Sequence, residues 1–434
     1  MARIKLAYIG GGSTRAPGTM ASLIDQGDNF SGSEIVLVDL NEERLHLVKQ
    51  ISERMVESHG LDLKVTATTD RRAALADCDA VLSSFRPGGF EARMLDERIP
   101  LVHGVIGQET QGPGGFFMAL RSIDVLKGIV QEMEEICPAA WLFNYTNPIN
   151  IVSEAITHHS DISMVSLCEG PIIFSRAIAK TADLDPDRLD ATMIGLNHAC
   201  WSTRHLYDGN DVMPLLQDAY DRKRNDPVVD PKRLRMLGLA VAMGSIPADY
   251  FQYYYFRDEI LAELGAKPTT RAQDILASVP DYWAHYRAEA ETAAPKLDPQ
   301  RSRGGVHELE LAIDVMDALF NDRGEVWPVN VPNRGAIADF PDDRVVEVPA
   351  YVDRHGIVPL QQGQMPPQVV GLVKHLGEYQ SLAAKAAWEG GRREAIQALA
   401  CNPLVMSLAK AEVLFDEMAA AHKAYLPEQL LRKA

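Results

Sequence analysis

The stretch RIKLAYIGGGSTRAPG, residues 3–18, joins a short apolar run to a cluster of glycines. The apolar run is typical of a buried strand, and a helical pattern follows the glycines. The segments EIVLVD (34–39), LKVTAT (63–68) and DAVLSSF (79–85) continue this alternation of strands with helical segments. Strands separated by helices predict βαβ units, and therefore an α/β protein with a doubly wound, mostly parallel sheet.

The pattern changes after about residue 200. Residues 330–352 are predicted to be loop-rich, and helical segments dominate elsewhere, at 213–224, 232–244, 250–265, 271–278, 308–320 and within 366–423. We therefore expect an NAD-binding domain of the Rossmann type over residues 1–200. A mainly helical (α+β) domain over residues 201–434 is expected to bind substrate and to carry contacts between subunits.

Overall charge and cysteine content exclude several partners. The 434 residues carry a formal net charge of −17, which repels nucleic acid and anionic membranes. A local cluster of arginines can still bind a small anion. Five cysteines at irregular spacing predict reduced thiols rather than a disulfide framework, which favours the cytoplasm. No apolar run approaches the length of a membrane span.

The glycine-rich turn predicts a dinucleotide site. Glycines after the first strand let the backbone approach a pyrophosphate, next to the free N–H groups of a helix N-terminus. The residues expected there are Gly10, Gly12, Ser13 and Thr14. Arg15 stands where a full fingerprint has its third glycine. Asp39 ends the second strand, where a carboxylate binds the ribose hydroxyl of NAD and repels the extra phosphate of NADP. NAD binding is therefore favoured over a purely structural turn.

Four side chains near strand ends and on a tyrosine-rich segment suggest catalytic chemistry. Cys168 in VSLCEGP and His198 in GLNHACW could hold one divalent cation, although each could equally be a core residue. Glu169 could be a general acid, or one half of a salt bridge. Tyr250, in IPADYFQYYYF (246–256), could be a base or a packing residue.

Polar residues in loops could recognise an anionic sugar. Arg86 and Arg93 flank the RPGGFEAR stretch, and Arg271 and Arg303 lie in later loops. Arginine binds phosphate or sulfonate with a two-pronged geometry, although most arginines are solvated surface charges. Asn147, in NYTNPIN, could hydrogen-bond sugar hydroxyls or serve ordinary turn chemistry.

The chain resembles the NAD-dependent glycosidases of glycoside hydrolase family 4. The resemblance spans nearly the whole chain, in the ordered blocks IGGGST, TTDRRAAL, RPGGFEAR, GVIGQET, NYTNP, GLNH, IPADYFQYYY, VNVPNRGAI and DDRVVEVPAYVD. It implies a Rossmann domain, bound NAD⁺ contacted by Arg86, often a divalent metal such as Mn²⁺, and dimers or tetramers. It also implies Cys168 and His198 as metal ligands and Tyr250 as the base.

The resemblance further implies a retaining mechanism that departs from the two-carboxylate scheme of most glycosidases. NAD⁺ takes a hydride from C3 of the sugar, and the ketone acidifies the C2 proton. A base removes that proton, the aglycone leaves with help from Glu169, water adds, and the hydride returns. No net oxidation results.

Two departures from the family bear on the substrate. Glu169 follows the motif cysteine, where 6-phospho-β-glucosidases typically carry Asn and 6-phospho-α-glucosidases Asp. His307 stands where an aromatic residue is expected. These differences favour an α-linked substrate, and we rank α-sulfoquinovosides slightly above 6-phospho-α- or β-glucosides. Arg93, Arg271 and His307 are the expected anion pocket. In the sulfoquinovosidase branch a metal is less strongly implied, because Cys168 and His198 could instead contact substrate or pack in the core.

Two other functions stay open on the sequence. A simple NAD-dependent sugar or hydroxy-acid dehydrogenase would share the first domain, but it leaves Tyr250 and the C-terminal blocks without a role. A non-catalytic NAD-binding regulator would not need so many polar residues at strand ends.

Overall fold

The computed structural model describes residues 1–303 and 310–432. Across these residues the strands are β1 (Lys5–Ile9), β2 (Ser33–Val38), β3 (Leu63–Thr68), β4 (Ala80–Ser83), β5 (Trp141–Asn144), β6 (Met164–Ser166), β7 (Leu189–Leu196), β8 (Ala199–Tyr207), β9 (Asn210–Asp211), β10 (Glu325–Pro332), β11 (Val345–Asp353) and β12 (Gly356–Pro359).

The α-helices of the same residues are α1 (Ala16–Asp25), α2 (Glu42–Ser58), α3 (Arg71–Leu75), α4 (Gly89–Val102), α5 (Gly112–Ile136), α6 (Ile149–His159), α7 (Gly170–Thr181), α8 (Met213–Lys223), α9 (Pro231–Met243), α10 (Gln252–Tyr255), α11 (Arg257–Ala266), α12 (Arg271–Ala290), α13 (Leu311–Phe320), α14 (Pro367–Lys385), α15 (Arg392–Cys401), α16 (Leu408–Ala421) and α17 (Glu428–Leu431). None of these helices is both long and apolar enough to cross a membrane.

One sheet runs through the described part of the chain. Its first half is parallel, in the order β3-β2-β1-β4-β5-β6, and its second half continues with β10-β11-β7-β8-β9, with β12 paired to β11. Buried side chains pack on both faces: α1, α2 and α13 cover one face, and α5, α6 and α14 to α16 cover the other. This arrangement confirms the Rossmann-type, doubly wound sheet and the mainly helical second half.

Three local predictions are wrong. The loop expected over 330–352 is confined to residues 333–344: residues 330–332 end β10 and residues 345–352 lie in β11, where Val346 and Val348 are buried, while the prolines and asparagines of the segment resemble turn signals. The sheet is also less parallel than expected, since β7 turns back on β8 in an antiparallel hairpin. The helix expected over 250–265 is divided between α10 and α11.

Candidate active site

A cavity of about 840 Å³ opens at the carboxyl ends of the parallel strands. In α/β proteins this edge of the sheet is where ligands bind. The sequence-predicted residues that line it are Gly10, Gly12, Ser13, Thr14, Asp39, Arg86, Asn147, Cys168, Glu169, His198 and Tyr250. The fold therefore brings the expected dinucleotide residues and the expected catalytic residues into one cavity.

The glycine-rich turn is packed too closely for larger residues. Gly10 has a φ of +99°, and a Cβ there would lie 2.1 Å from the carbonyl oxygen of Ser84. A Cβ on Gly12 would lie 2.8 Å from the carboxyl carbon of Asp39. The Gly12 N–H donates to Asp39 Oδ2 at 3.0 Å, and the Asn41 N–H donates to Oδ1 at 3.1 Å. These bonds fix Asp39 at the nucleotide end of the cavity, so the residues fit a bound dinucleotide.

Cys168 and His198 lie together at the other end. Cys168 Sγ is 3.6 Å from His198 Nε2 and accepts a hydrogen bond from the Gly170 N–H at 3.3 Å. His198 Nδ1 lies 2.9 Å from Thr110 Oγ1, whose hydroxyl donates to Gln108 at 3.1 Å. If the Thr110 hydroxyl donates to Gln108, the imidazole must carry its proton on Nδ1 to bond Thr110, and the lone pair of Nε2 then faces the thiol.

This pair fits the donor set for one divalent ion. A separation of 3.6 Å suits a nitrogen about 2.1 Å and a sulfur about 2.3 Å from a common ion at a tetrahedral angle. Within residues 1–303 and 310–432, no three His, Cys, Asp or Glu side chains are arranged to hold a metal. An ion held by Cys168 and His198 alone would therefore keep coordination positions open for other ligands.

Burial sets the protonation of this pair. It lowers the pKa of His198 to about 4, which leaves the imidazole neutral, and it raises the pKa of the Cys168 thiol.

Tyr250 is stacked on His198. The ring centroids are 3.7 Å apart and the planes differ by 10°. Of the tyrosines in its segment, Tyr250 lines the cavity, whereas Tyr254 donates its hydroxyl to Gln111 at 2.6 Å. Burial raises the pKa of Tyr250 well above its usual value, and nearby Arg93 partly opposes that effect. The Tyr250 ring therefore lies beside the Cys168–His198 pair.

Glu169 is both exposed to the cavity and ion-paired. It precedes α7, and its Oε1 lies 3.2 Å from Arg15 Nη2. The same Nη2 contacts both carboxylate oxygens of Glu310, at 3.0 and 3.2 Å. Burial raises the pKa of Glu169, Arg15 lowers it, and Glu310 raises it again. A salt bridge and an acid role are thus compatible for this residue.

Three arginines surround Glu109. Arg86 forms an ion pair with its Oε1, and Arg93 Nη1 lies 2.5 Å from its Oε2. Burial alone would raise the pKa of Glu109, but the two arginines outweigh it and lower the pKa to about 2. Arg303 lines the same cavity, and burial together with Arg86 lowers its pKa to about 10. Arg86 and Arg303 each have a buried Nη1 without a hydrogen bond to any described residue.

The expected anion pocket is distributed differently. Arg93 is 6% exposed, and its charge is shared between Glu97, at 2.7 Å, and Glu109. Arg271 lies at the exposed first position of α12 and is absent from the residues that line the cavity. His307 falls outside the described residues. Among the described residues, the arginines that line the cavity with a buried donor lacking a hydrogen bond are Arg86 and Arg303, through Nη1, and Arg15, through Nε.

Comparison with known proteins decides the family. The model described as "Family 4 glycosyl hydrolase" matches residues 5–184, and its C-terminal domain model matches residues 193–405.

The chain belongs to family 4 of the glycosyl hydrolases.

This family 4 glycosidase is 38% identical, over 98% of each chain, to a probable 6-phospho-beta-glucosidase of Bacillus subtilis (strain 168). Its fold matches a 6-phospho-beta glucosidase of Thermotoga maritima with manganese, NAD⁺ and glucose-6-phosphate, at a TM-score of 0.85 and 26% identity over 98% and 99% of the chains. A 6-phospho-alpha-glucosidase from gut microorganisms with NAD and Mn²⁺ matches at a TM-score of 0.84 and 26% identity, over 98% and 99% of the chains.

Several polar residues around the site of this glycosidase escaped sequence reasoning. Glu109 and Glu347 appeared only within blocks of resemblance, and Glu310 gave no local signal. Glu347 is 1% exposed, and its Oε1 accepts hydrogen bonds from Asn197 at 2.9 Å and Asn330 at 3.1 Å. Burial raises the pKa of Glu347 to about 7. Asn197 directly precedes His198 in the β7–β8 turn. These hydrogen bonds therefore help to hold the backbone that carries the imidazole.

Proposed function

We propose that this family 4 enzyme is an NAD-dependent, retaining 6-phospho-glucosidase that works by transient oxidation at C3 of the sugar. The observation that carries the proposal is the assembly of Cys168, His198 and Tyr250 in the cavity that also holds the glycine-rich turn. A simple dehydrogenase needs no such assembly. The relatives named above, which include phosphoglucosidases of both anomeric types, support the same function.

The two absent groups would supply distinct chemistry. Bound NAD⁺ would accept a hydride from C3 and return it at the end of the cycle. A divalent metal held by Cys168 and His198 would polarise the oxygens at C2 and C3. The residues of the chain supply the rest. The glycine-rich turn and Asp39 seat the dinucleotide, Tyr250 receives the C2 proton as its tyrosinate, the form that nearby Arg93 favours, and Glu169 protonates the oxygen of the leaving group.

The arginine cluster supports an anionic ligand. The guanidinium carbons of Arg86 and Arg303 lie 5.2 and 4.8 Å from the centre of the Phe90 ring. Three arginines around Glu109, with Glu97 as a second partner for Arg93, leave a local excess of positive charge despite the acidic chain. We assign Arg86 to the cofactor phosphates and Arg303 to the substrate phosphate. Asn147, whose Oδ1 is buried without a described partner, is assigned to a sugar hydroxyl.

The relatives change the order in which the sequence ranked the candidate substrates. The departure at Glu169 placed α-sulfoquinovosides first, but the relatives are named for 6-phosphorylated sugars, and they support the 6-phospho-glucosides that were ranked second. A phosphate, which carries nearly two negative charges, also pairs more strongly with the Arg303 guanidinium than a singly charged sulfonate does.

A substrate panel tests the proposal. Nitrophenol release would be measured with NAD⁺ on the nitrophenyl 6-phospho-α-glucoside, 6-phospho-β-glucoside, α-sulfoquinovoside and unsubstituted glucoside. We expect turnover of a phosphoglucoside, inhibition by a chelator, and a raised KM for that substrate in Arg303→Gln. Turnover of the sulfonate alone would restore the first ranking. Light scattering of the purified protein would measure its molar mass in solution and so check the expected dimer or tetramer.

A further inference from the structure

Arg15 connects the two ends of the cavity. It ends the glycine-rich turn at the N-terminus of α1, yet its guanidinium reaches Glu169 and Glu310, which start other helices. One nitrogen, Nη2, makes all three contacts, at 3.0 to 3.2 Å. The guanidinium carbon also lies 4.8 Å from the centre of the Tyr145 ring.

The two carboxylates that share Arg15 are not equivalent. The Glu310 side chain has no exposed surface, and its Oε2 also accepts from the Thr19 hydroxyl at 3.3 Å. A buried carboxylate that loses its cation is strongly destabilising, so Arg15 and Glu310 form a fixed pair. Glu169 has 23% of its side chain exposed and makes a single contact with that pair. Glu169 is therefore the partner that the fixed pair orients.

We propose that Arg15, anchored by Glu310, is a positioning residue that holds the Glu169 carboxyl at the leaving-group side of the cavity. The inference rests on the proposed function, in which Glu169 is the general acid. It gives a role to the residue that interrupts the dinucleotide fingerprint. A side chain from the cofactor turn thereby orients the group that protonates the aglycone.

The test removes the fixed pair as a unit. Arg15→Gln alone would leave Glu310 buried without its cation, so Arg15→Gln/Glu310→Gln is the main variant. Rates would be compared on a 2,4-dinitrophenyl and a methyl 6-phosphoglucoside of the anomer that the wild type hydrolyses. Glu169→Gln supplies the reference, because removing a general acid costs about 10²- to 10⁴-fold on a poor leaving group. Arg72→Gln/Glu135→Gln removes a surface ion pair, 54% and 63% exposed, as the matched control.

The expected result is selective. The double variant should lose about 10-fold or more on the methyl glycoside, and about 3-fold or less on the dinitrophenyl glycoside, since an activated phenol leaves without an acid. Adding the double variant to Glu169→Gln should not change the ratio of Glu169→Gln further, because Arg15 and Glu310 act only through the Glu169 carboxyl. The surface control should match the wild type on both substrates.

The outcomes that overturn the inference differ from those that overturn the function. An inactive wild type on all phosphoglucosides would refute the proposed function itself. An active wild type in which Glu169→Gln is selective but the double variant loses both substrates equally, or neither, would refute the positioning role alone. If Glu169→Gln is itself unselective, Glu169 is not the acid, and the positioning role falls with it.

Discussion

Replacing Glu109 by Gln should destabilise the protein in a pH-dependent way. The substitution keeps the shape of the side chain but leaves Arg86 and Arg93 without the carboxylate between them. The two arginines hold the pKa of Glu109 at about 2, against 4.5 for an unperturbed carboxyl. That difference corresponds to about 3 kcal/mol of stability at neutral pH. Because the side chain is 14% exposed, solvent screening removes little of it.

The sign of the pH dependence follows from the lowered pKa. The contribution is fully present above pH 4.5 and is lost as the pH falls towards 2, because the folded protein must then bind the proton that it resists. The urea midpoint of Glu109→Gln should therefore lie well below that of the wild type at pH 7. The difference between the two urea midpoints should fall to about half of its pH 7 value by pH 3.

Unfolding in urea of the cofactor-free protein, followed by tryptophan fluorescence at several pH values, measures this gap. Glu135→Gln is the control, because its exposed pair with Arg72 is worth about 0–1 kcal/mol. A Glu109→Gln midpoint equal to that of the wild type at pH 7, or a gap that does not change with pH, would refute the reasoning.

Three further outcomes are expected. Asp39→Ala should weaken NAD⁺ binding by about 10-fold or more, as one charge-assisted hydrogen bond to the ribose is lost, and equilibrium fluorescence titration would detect it. Tyr250→Phe should abolish exchange of the sugar C2 proton with solvent deuterium while leaving NAD⁺ affinity unchanged, and exchange at the wild-type rate would point to another base. Glu347→Gln should have little effect on thermal stability at pH 4.5 and should stabilise increasingly as the pH rises to 7, because burial raises the pKa of Glu347 to about 7 and the wild type loses stability over that range. A melting-temperature difference that is independent of pH would contradict it.

The parts of the site that the sequence predicts are those encoded locally. Gly10, Gly12 and Asp39 follow strands that are recognisable as short apolar runs, and parallel strands deliver their carboxyl ends to one edge of the sheet. Cys168 follows β6 for the same reason. The sequence alone therefore predicts that these residues lie at one edge of the sheet.

The parts that the sequence does not predict depend on pairing over long separations. Glu310 meets Arg15 across 295 residues, and Glu347 meets Asn197 across 150. A single proline, Pro349, follows the buried run of residues 345–348, so the segment resembles a loop until β10 lies beside it. No local propensity carries information about such partners.

The most direct test of the account follows the hydrogen at C2 of the sugar. The wild-type enzyme would be incubated with NAD⁺ and a 6-phosphoglucoside in deuterium oxide, and the released glucose-6-phosphate would be analysed by mass spectrometry and NMR while NADH is monitored by absorbance. The account predicts deuterium at C2 of the product, no turnover without NAD⁺, and no net accumulation of NADH. Hydrolysis with an unlabelled C2, or NADH formed in proportion to substrate consumed, would contradict it.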